Sequence, residues 1–373
     1  MRENAMTGIV FSNMHDECLC DLTAGRTFAS VPFGSRYRLV DFTLSNMANC
    51  GIDRIGVITK HNYRSLMEHI GSGKAWDLNR KNGGIRIISP YGQVQHGVYH
   101  DRLEALYGAR DFLTRQNARF VVLSDCNTVV NLNLSAMLRQ HLKSDADITI
   151  AVKRLTLRRE EACHTMAFEI DKVGRITGVH YHPRRGGEYE TDLNIWILSR
   201  ELLLKIMDEG QSRGYRSLGA DVLRENLEIR RVMSYRVPGF VRKIMSFEGY
   251  FEANMALLQA EHRHDLFHPD HPIYTKIFDT PPTLYAESAQ AVDSLVADGC
   301  DIRGRVERCI VFRNVTVEEG AAVQDCILLP DSRICAGARM RFSVADREVT
   351  VRSGHGLSGD SNYPIYLKKG RIL

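Results

Sequence analysis

Four histidines stand close together in this sequence, at a spacing that could suit a metal ion. They are His262, His264, His268 and His271, and histidines a few residues apart are common zinc ligands. They run from a predicted helix end into a stretch rich in proline, with no adjacent cysteine and no clear acidic frame. We therefore expect a hydrated helix end here rather than a metal site.

Cysteine is the other reactive side chain considered, and Cys126 is a candidate nucleophile. A reactive thiolate needs a neighbouring base or positive charge, and the sequence shows no recognisable histidine–acid pair around Cys126. We expect it to be a small buried residue. The nine cysteines include no Cys-x-x-Cys pair. This pattern favours reduced thiols, and we expect a cytoplasmic, bacterial protein.

Charge and hydropathy argue against two classes of partner. The net charge is +4, and basic pairs such as Arg184 and Arg185 are scattered along the chain, which does not suit nucleic-acid binding. No apolar run approaches the roughly 18 residues that span a bilayer. We expect neither a nucleic acid nor a membrane as a partner.

The first 150 residues alternate strand-like and helix-like stretches. Short stretches rich in Ile and Val predict strands at 8–11, 54–59, 84–88, 119–124 and 147–153, and amphipathic spacing predicts helices at 39–50, 62–69, 103–114 and 134–142. This alternation indicates an α/β fold with a mostly parallel sheet. Residues 165–198 are rich in strand-forming residues, 200–208 predict a helix, and 247–263 predict one long helix.

The C-terminal part carries an internal repeat. CIVFRNVTVEEGAAV at 309–323 matches CILLPDSRICAGARM at 326–340 with a constant offset of 17, and within each copy apolar residues six apart flank a Gly-Ala corner. Hexad spacing is typical of a parallel β-helix; chance similarity inside an ordinary β domain is the alternative. We predict a first domain at 1–262, a Pro-rich linker at 263–288 and a β-helix at 289–373.

Three long stretches carry a family resemblance: VPFGSRYRLVDFTLSN at 31–46, GIDRIGV at 51–57 and HIGSGKAWDLNRKNGG at 69–84. The chain resembles ADP-glucose pyrophosphorylase (glucose-1-phosphate adenylyltransferase). The resemblance implies a Rossmann-like, GT-A-like nucleotidyltransferase domain followed by a left-handed β-helix of hexapeptide repeats, and assembly as a tetramer. Active members of this family make ADP-glucose and pyrophosphate from ATP and glucose 1-phosphate for glycogen synthesis.

The positions where the family holds phosphates have changed. The family motif Gly-Gly-x-Gly-x-Arg corresponds here to Asn13, Met14, His15, Asp16, Glu17 and Cys18, and the family's phosphate-binding lysine corresponds to Phe28. Backbone amides of a glycine-rich loop and a lysine ammonium supply the positive field that polyphosphates need. Here two acids would repel phosphate instead.

The positions for Mg²⁺ and the sugar phosphate have changed as well. The family's two metal carboxylates correspond to Cys126 and Lys243, and neither thiol nor ammonium suits Mg²⁺. Lys243 would oppose the ion or stand in its place as a fixed charge. The family's Glu-Lys-Pro motif corresponds to 181–183, with His182 in place of the lysine. We expect no cofactor in this chain, and Mg²⁺ only in a catalytic partner.

A retained fold in which the family's catalytic residues are replaced resembles the GlgD-type, non-catalytic subunits of bacterial ADP-glucose pyrophosphorylase. The resemblance implies a heterotetramer with a catalytic subunit, whose activity this chain modulates, or a homo-oligomer. Arg26 and Arg38 align with basic positions that help to bind sugar-phosphate effectors in some relatives, although a plain surface role is the alternative; a nucleotide effector is also open. Retained motif residues are expected to serve packing or subunit contacts: Arg36, Asp41, Asn46, Trp76, Asp77 and Arg80.

Three other functions remain open at this point. One is a weakly active adenylyltransferase that recruits Asp125, although adjacent residues on a strand face opposite sides. Another is a sugar-phosphate-sensing homotetramer. The third is an acyltransferase, a class that also uses hexad β-helices, but no candidate histidine lies within 290–350 and His355 lies outside the repeat.

Overall fold

A computed structural model describes residues 5–81, 83–89 and 99–373. In the N-terminal part the strands are β1 Met6–Phe11, β2 Pro32–Phe33, β3 Tyr37–Arg38, β4 Arg54–Ile58, β5 Gly84–Ile88, β6 Phe120–Asp125, β7 Thr128–Val130, β8 Ile148–Leu157, β9 Met166–Ile170, β10 Ile176–Tyr181, β11 Gly187–Ser199, β12 Val232–Arg236 and β13 Val241–Lys243. The α-helices are α1 Leu39–Asn49, α2 Arg64–Ile70, α3 Arg102–Gly108, α4 Arg110–Thr114, α5 Leu134–Lys143, α6 Arg159–Ala162, α7 Arg200–Arg213, α8 Phe247–Met255 and α9 Ala260–Leu266.

The central sheet confirms the predicted α/β class. Its order is β10-β9-β11-β6-β1-β4-β5, with β8 pairing β11 and β12. Strands β6, β1, β4 and β5 are parallel, and β11 joins β6 in the antiparallel sense. Two apolar cores cover its faces because the buried strands carry Ile, Val and Leu on both sides.

Two predicted helices are each divided in the structure. The predicted helix 103–114 becomes α3 and α4, which meet at Ala109. The predicted helix 247–263 becomes α8, a 3₁₀ turn at Ala256–Leu258, and α9. Gln259 is extended there, with φ −80° and ψ 127°. An extended residue cannot continue a helix, so α9 starts on a new axis and ends at Leu266.

The C-terminal strands are β14 Leu284–Tyr285, β15 Gln290–Val292, β16 Leu295–Val296, β17 Asp301–Ile302, β18 Arg305–Glu307, β19 Ile310–Val311, β20 Thr316–Val317, β21 Ala322–Leu328, β22 Arg333–Ile334, β23 Arg339–Ala345, β24 Thr350–Val351, β25 Gly356–Ser358 and β26 Ile365–Leu367. They pair in parallel, and Ile310 lies opposite Ile327, which is the predicted offset of 17. The offset varies in the first coil, where Leu284 lies opposite Asp301, at 17, and Gln290 lies opposite Arg305, at 15. Residues 263–288, predicted as a linker, include the end of α9 and the strand β14.

The β-helix packs on the first domain. Its residues Ile310, Phe312 and Ile327 belong to the same apolar core as Phe33 and Tyr250 of the first domain. Among the described residues, no helix is long and apolar enough to cross a bilayer. The two domains therefore share one apolar core, and the ion pair of Arg26 with Asp346 also joins them.

Candidate functional site

A polar cleft opens where β1 and β6 end at the same edge of the sheet. The chain leaves β1 at Phe11 and β6 at Asp125, two residues that lie opposite each other in the pairing register. The carboxyl edge of parallel strands is where ligand sites form in open α/β sheets. A cavity of about 210 Å³ lies there, and its lining includes Met14, Cys18, Arg102 and His182.

Asp125 is the central acid of the cleft. Its Oδ2 accepts hydrogen bonds from Arg102 Nη2 at 2.6 Å and Arg102 Nε at 3.2 Å, and lies 2.7 Å from Nε2 of His15. The side chain is only 1% exposed. Burial alone would raise the pKa of Asp125, but Arg102 and His15 outweigh it, so the pKa lies below its ordinary value. Asp125 therefore stays ionised, with its Oδ2 bound by the Arg102 guanidinium and the His15 ring.

A second acid, Asp192, lies close by on β11. Its Oδ1 accepts hydrogen bonds from the backbone N–H of Asn194 at 2.7 Å and from Trp196 Nε1 at 3.2 Å. Its Oδ2 lies 4.0 Å from Nη1 of Arg102. Burial raises the pKa of Asp192, against the opposing charges of Lys243 and Arg102. One guanidinium thus faces both buried carboxylates.

Lys243 supplies the other buried cation. Its Nζ donates hydrogen bonds to Thr165 Oγ1 at 2.5 Å and to the backbone carbonyl of Asp192 at 2.6 Å. Burial lowers the pKa of Lys243 to about 8, with Asp192 opposing that shift. An ammonium with this pKa is still mostly protonated at neutral pH, so Lys243 is a positive charge inside the cleft wall.

Cys126 does not face the cleft. It is buried in the apolar core on the other side of the sheet, with Val129 and Met137, and burial raises its pKa well above the ordinary value. Strand alternation therefore turns Asp125, rather than Cys126, toward His15 and Arg102. Sequence reasoning assigned no role to either of these two partners. The available signal was the alternation itself, because one residue of each adjacent pair on β6 must face the opposite side.

The altered phosphate loop folds onto its own acid. Asp16 Oδ1 accepts a hydrogen bond from the backbone N–H of Phe28 at 2.7 Å, and Asp16 Oδ2 accepts one from Asn13 Nδ2 at 2.6 Å. His61 Nε2 lies 3.4 Å from the same Oδ2. Phe28 is buried and meets the ring of His15 edge-on at 6.1 Å between centroids. A carboxylate thus uses polar hydrogens that an anionic ligand would otherwise need.

The structure gathers the predicted site positions around this one cleft. Met14, Cys18 and His182 line the cavity, and Asn13 and Asp16 hold the adjoining loop. Phe28 and Lys243 lie behind the lining, where they contact His15 and Thr165 respectively. His182 has a left-handed φ of 55° and stacks on Tyr181 with ring centroids 4.0 Å apart. Cys126 alone among these positions is directed away.

The donor set does not fit Mg²⁺, the ion that the resemblance implies. Mg²⁺ requires hard oxygen ligands in octahedral geometry. Here Arg102 and His15 already bind one oxygen of Asp125, and Lys243 adds a positive charge beside Asp192. Across 5–81, 83–89 and 99–373, no group of three or more His, Cys, Asp and Glu side chains is placed to hold a metal ion.

The four histidines that are close in sequence have different contacts in the structure. His262 Nδ1 lies 2.8 Å from the carbonyl oxygen of Ala256. The rings of His264 and His268 are perpendicular, with centroids 6.0 Å apart. His271 Nε2 lies 3.4 Å from Nδ2 of Asn133. These histidines belong to the junction between α9 and the following segment.

Several retained motif residues are buried in the structure. Asp41 lies 2.6 Å from His69, Asn46 bonds the backbone of Val130 and Leu132 at 3.0 Å, and Trp76 lies in the apolar core. Asp77 and Arg80 form an exposed pair at 2.6 Å. The first three act in packing within the chain.

A second polar cavity, of about 410 Å³, lies between the two domains. Arg26 donates through Nη2 to both carboxylate oxygens of Asp346, at 2.8 and 2.7 Å, and Arg38 donates through Nη1 to Ser65. Burial lowers the pKa of Arg38 to about 10, with Asp41 opposing that shift. The remaining basic residues that line this cavity are Arg64, Arg347, Lys368 and Lys369. Three acids, Asp21, Glu68 and Asp346, also line it, so basic residues outnumber acidic ones at this junction.

Comparison with known proteins agrees with this architecture. Residues 17–259 match the nucleotidyl transferase family, and residues 282–362 match the GlmU-like C-terminal hexapeptide family. These two matches confirm the predicted fold class.

Individual relatives cover nearly all of the chain. It is 30% identical over 377 residues to the Bacillus subtilis (strain 168) glycogen biosynthesis protein GlgD, covering 100% of this chain and 98% of that protein. It is 33% identical over 370 residues to glucose-1-phosphate adenylyltransferase of Thermomicrobium roseum (98% of this chain, 86% of that enzyme). A Bacillus cereus (strain Q1) glucose-1-phosphate adenylyltransferase is 30% identical over 349 residues (92% of each).

Proposed function

Since this chain belongs to the glucose-1-phosphate adenylyltransferase family of nucleotidyl transferases and is similar to GlgD along its whole length, we propose that it is a non-catalytic subunit. It assembles with a catalytic ADP-glucose pyrophosphorylase subunit and modulates the synthesis of ADP-glucose for glycogen. The observation that carries this proposal is the cleft, where Arg102 and His15 bind the Asp125 carboxylate and Lys243 places a buried ammonium on the backbone carbonyl of Asp192.

The positions that hold phosphates in the family, residues 13–18 and Phe28, carry no lysine or arginine here. An ammonium about 4 Å from a phosphate contributes about 4 kcal/mol at an effective dielectric near 20, and Phe28 replaces that group. Losing this amount from the transition state slows a reaction on the order of 10³-fold. Asp16 adds a negative charge in the same region, and Arg102 is already paired with Asp125. Asp125 therefore cannot rescue activity as a substitute metal ligand.

A surface for the partner lies at the first coil of the β-helix. Strands β14, β15 and β16 are edge strands of their sheets, so one side of each is not paired within the sheet. Exposed apolar side chains surround this end: Ile277, Phe278, Leu284, Tyr285 and Val292. We propose that a β-helix coil of the catalytic subunit covers it, because only a coil of the same shape matches three strand edges at once. The catalytic relatives align with this chain through its hexapeptide domain.

The decisive test measures ADP-glucose synthesis from ATP, glucose 1-phosphate and Mg²⁺. We expect the chain alone to show no turnover, and we expect it to change the rate of a catalytic homologue from the same cell as the mixing ratio increases. Turnover comparable to the catalytic homologue would contradict the non-catalytic role. A rate that does not respond to mixing would contradict modulation.

A matched pair of variants tests the proposed surface. Leu284→Asp/Tyr285→Asp places charge on the first coil and should abolish co-migration with the catalytic subunit in size-exclusion chromatography. The control is Tyr363→Asp, at an exposed tyrosine near the other end of the β-helix, which should leave the complex intact. If both variants co-migrate with the catalytic subunit, or if neither does, the first coil is not the contact surface.

A role for a sugar-phosphate effector has its own observation, the cationic cavity between the domains. We propose that an anionic effector occupies this cavity beside Arg38. Calorimetric titration with fructose 1,6-bisphosphate and with inorganic phosphate tests it, and Arg38→Met should weaken binding. Arg80→Met, at the exposed pair with Asp77, is the control. Equal affinity of Arg38→Met and wild type would remove the cavity as the site.

A further inference from the structure

Arg102 and Lys243 together balance the two buried acids of the cleft. Asp125 and Asp192 carry two formal negative charges, and Arg102 and Lys243 carry two formal positive ones. Arg102 Nη2 lies 2.6 Å from Asp125 Oδ2, while Nη1 of the same guanidinium lies 4.0 Å from Asp192 Oδ2. The guanidinium therefore sits where the fields of both carboxylates converge.

These cations also connect the elements that form the cleft. Arg102 begins α3 and reaches the end of β6 and the middle of β11. Lys243 ends β13 and binds Asp192 on β11 and Thr165, the residue before β9. A divalent cation would connect strand ends in this manner through carboxylate ligands. Here side chains of the chain itself do so.

We infer that Arg102 and Lys243 replace a divalent cation in this cleft, so that its walls keep their arrangement without any bound ion. The inference concerns this chain's own fold and does not depend on the proposed partner subunit. It predicts that removing Arg102 exposes a site for a divalent cation, because Asp125 Oδ1 is buried without a hydrogen-bond partner. Once Arg102 is absent, His15 still contacts Asp125 Oδ2, but Asp125 Oδ1 can approach an ion.

In the neighbouring loop, a side chain of the chain itself likewise occupies a polar site, here with a negative charge. Asp16 places a carboxylate among the Phe28 N–H, Asn13 Nδ2 and His61, at 2.7, 2.6 and 3.4 Å. Such a group of donors suits an anionic oxygen. An internal anion and internal cations therefore occupy two adjacent parts of the cleft.

The test is a titration with Mn²⁺ alone. The electron paramagnetic resonance signal of the free ion reports how much Mn²⁺ is bound. Wild type should not bind Mn²⁺ in the cleft. Arg102→Ala should bind it with a dissociation constant of about 10⁻⁴–10⁻³ M, in the range of weakly charged oxygen sites. Arg102→Ala/Asp125→Asn should lose that binding. Arg110→Ala is the matched control, because Arg110 pairs with Asp208 at the surface.

Folding of each variant is followed by circular dichroism with and without Mn²⁺. If Arg102→Ala unfolds, recovery of its helical signal on adding Mn²⁺ supports the inference, and failure to recover overturns it. Lys243→Met, which removes the second cation, should likewise bind Mn²⁺ more tightly than wild type. Stoichiometric binding in the wild-type cleft, or folded variants that titrate like wild type, would overturn the inference. The Mn²⁺ titration and the folding measurements do not depend on whether the chain modulates a catalytic subunit, so failure of that proposal would not change their results.

Discussion

Substitution of Asp346 by asparagine tests how the two domains are held together. Asp346 is buried in the β-helix domain and binds Arg26, 320 positions away in the first domain, through both carboxylate oxygens. Tyr366 donates its hydroxyl to Oδ2 at 2.6 Å, and the backbone N–H of Arg347 donates to Oδ1 at 2.7 Å. Asp346→Asn removes the charge while keeping the shape of the side chain.

The expected cost follows from burial. The side chains of Arg26 and Asp346 are 10% and 2% exposed, so Arg26 would become a buried charge without a counter-ion. Removing one partner of a buried pair costs about 3–5 kcal/mol. Arg26 also has a buried Nη1 with no hydrogen-bond partner, and Arg38 and Arg347 line the same cavity. These features place the expected loss toward the upper part of that range.

Urea unfolding followed by tryptophan fluorescence measures this loss. Trp76 and Trp196 are the two tryptophans of the chain, and both lie in the first domain, so their signal reports the domain that does not carry the substitution. With slopes of about 1–3 kcal/mol per M, Asp346→Asn should lower the midpoint by roughly 1–5 M. Arg26→Met/Asp346→Asn should recover most of the loss, because no charge then remains unpaired.

The control is Asp331→Asn, whose partner Arg347 lies 3.3 Å away at a half-exposed position. This change should alter stability by no more than about 0.5 kcal/mol. A loss below about 1 kcal/mol for Asp346→Asn would refute the reasoning, because the pair would then behave like a surface contact. An unchanged fluorescence midpoint with a loss only in the β-helix would refute the coupling of the domains.

Three further predictions concern the β-helix, the cleft and its loop. Gly304→Ala would place a Cβ 2.5 Å from the carbonyl oxygen of Ala321 and should cost about 1–3 kcal/mol in thermal or urea unfolding, whereas Gly356→Ala meets nothing within 4 Å and should be neutral. His15 faces Asp125, Arg102 and Lys243, and burial lowers its pKa below 6.5, with Asp125 opposing that shift. The unfolded chain therefore binds more protons just below pH 6.5, stability falls as the pH decreases there, and His15→Gln should reduce that slope by up to about 1.4 kcal/mol per pH unit. Burial raises the pKa of Asp16, against its bonds to Asn13 and Phe28, so its ionised form opposes folding near neutral pH. Asp16→Asn should not lower the urea midpoint, and a clear loss would show that the ion pair with His61 dominates.

The local sequence determined the architecture. Alternating strand and helix patterns in the first 150 residues gave the α/β class, and the offset of 17 between residues 309–323 and 326–340 gave the coils of the β-helix. Both features are periodic along the chain, so they are visible without knowing any long-range contact. The changed residues at 13–18, at Phe28 and at Lys243 were visible for the same reason, because each lies at a fixed distance from a recognisable motif.

Only the tertiary structure decided which side chains meet. Asp125 ends β6 and Cys126 follows it, so the two side chains are expected on opposite sides, but the neighbouring elements decide which of them enters the cleft. The partners of Asp125 are 23 and 110 positions away in sequence, and those of Asp346 include Arg26 at 320. No local pattern encodes such pairings, because they arise where separate elements pack and buried charges must find counter-charges. The sequence predicted which residue types stand at these positions, and the folded chain decided which of them meet.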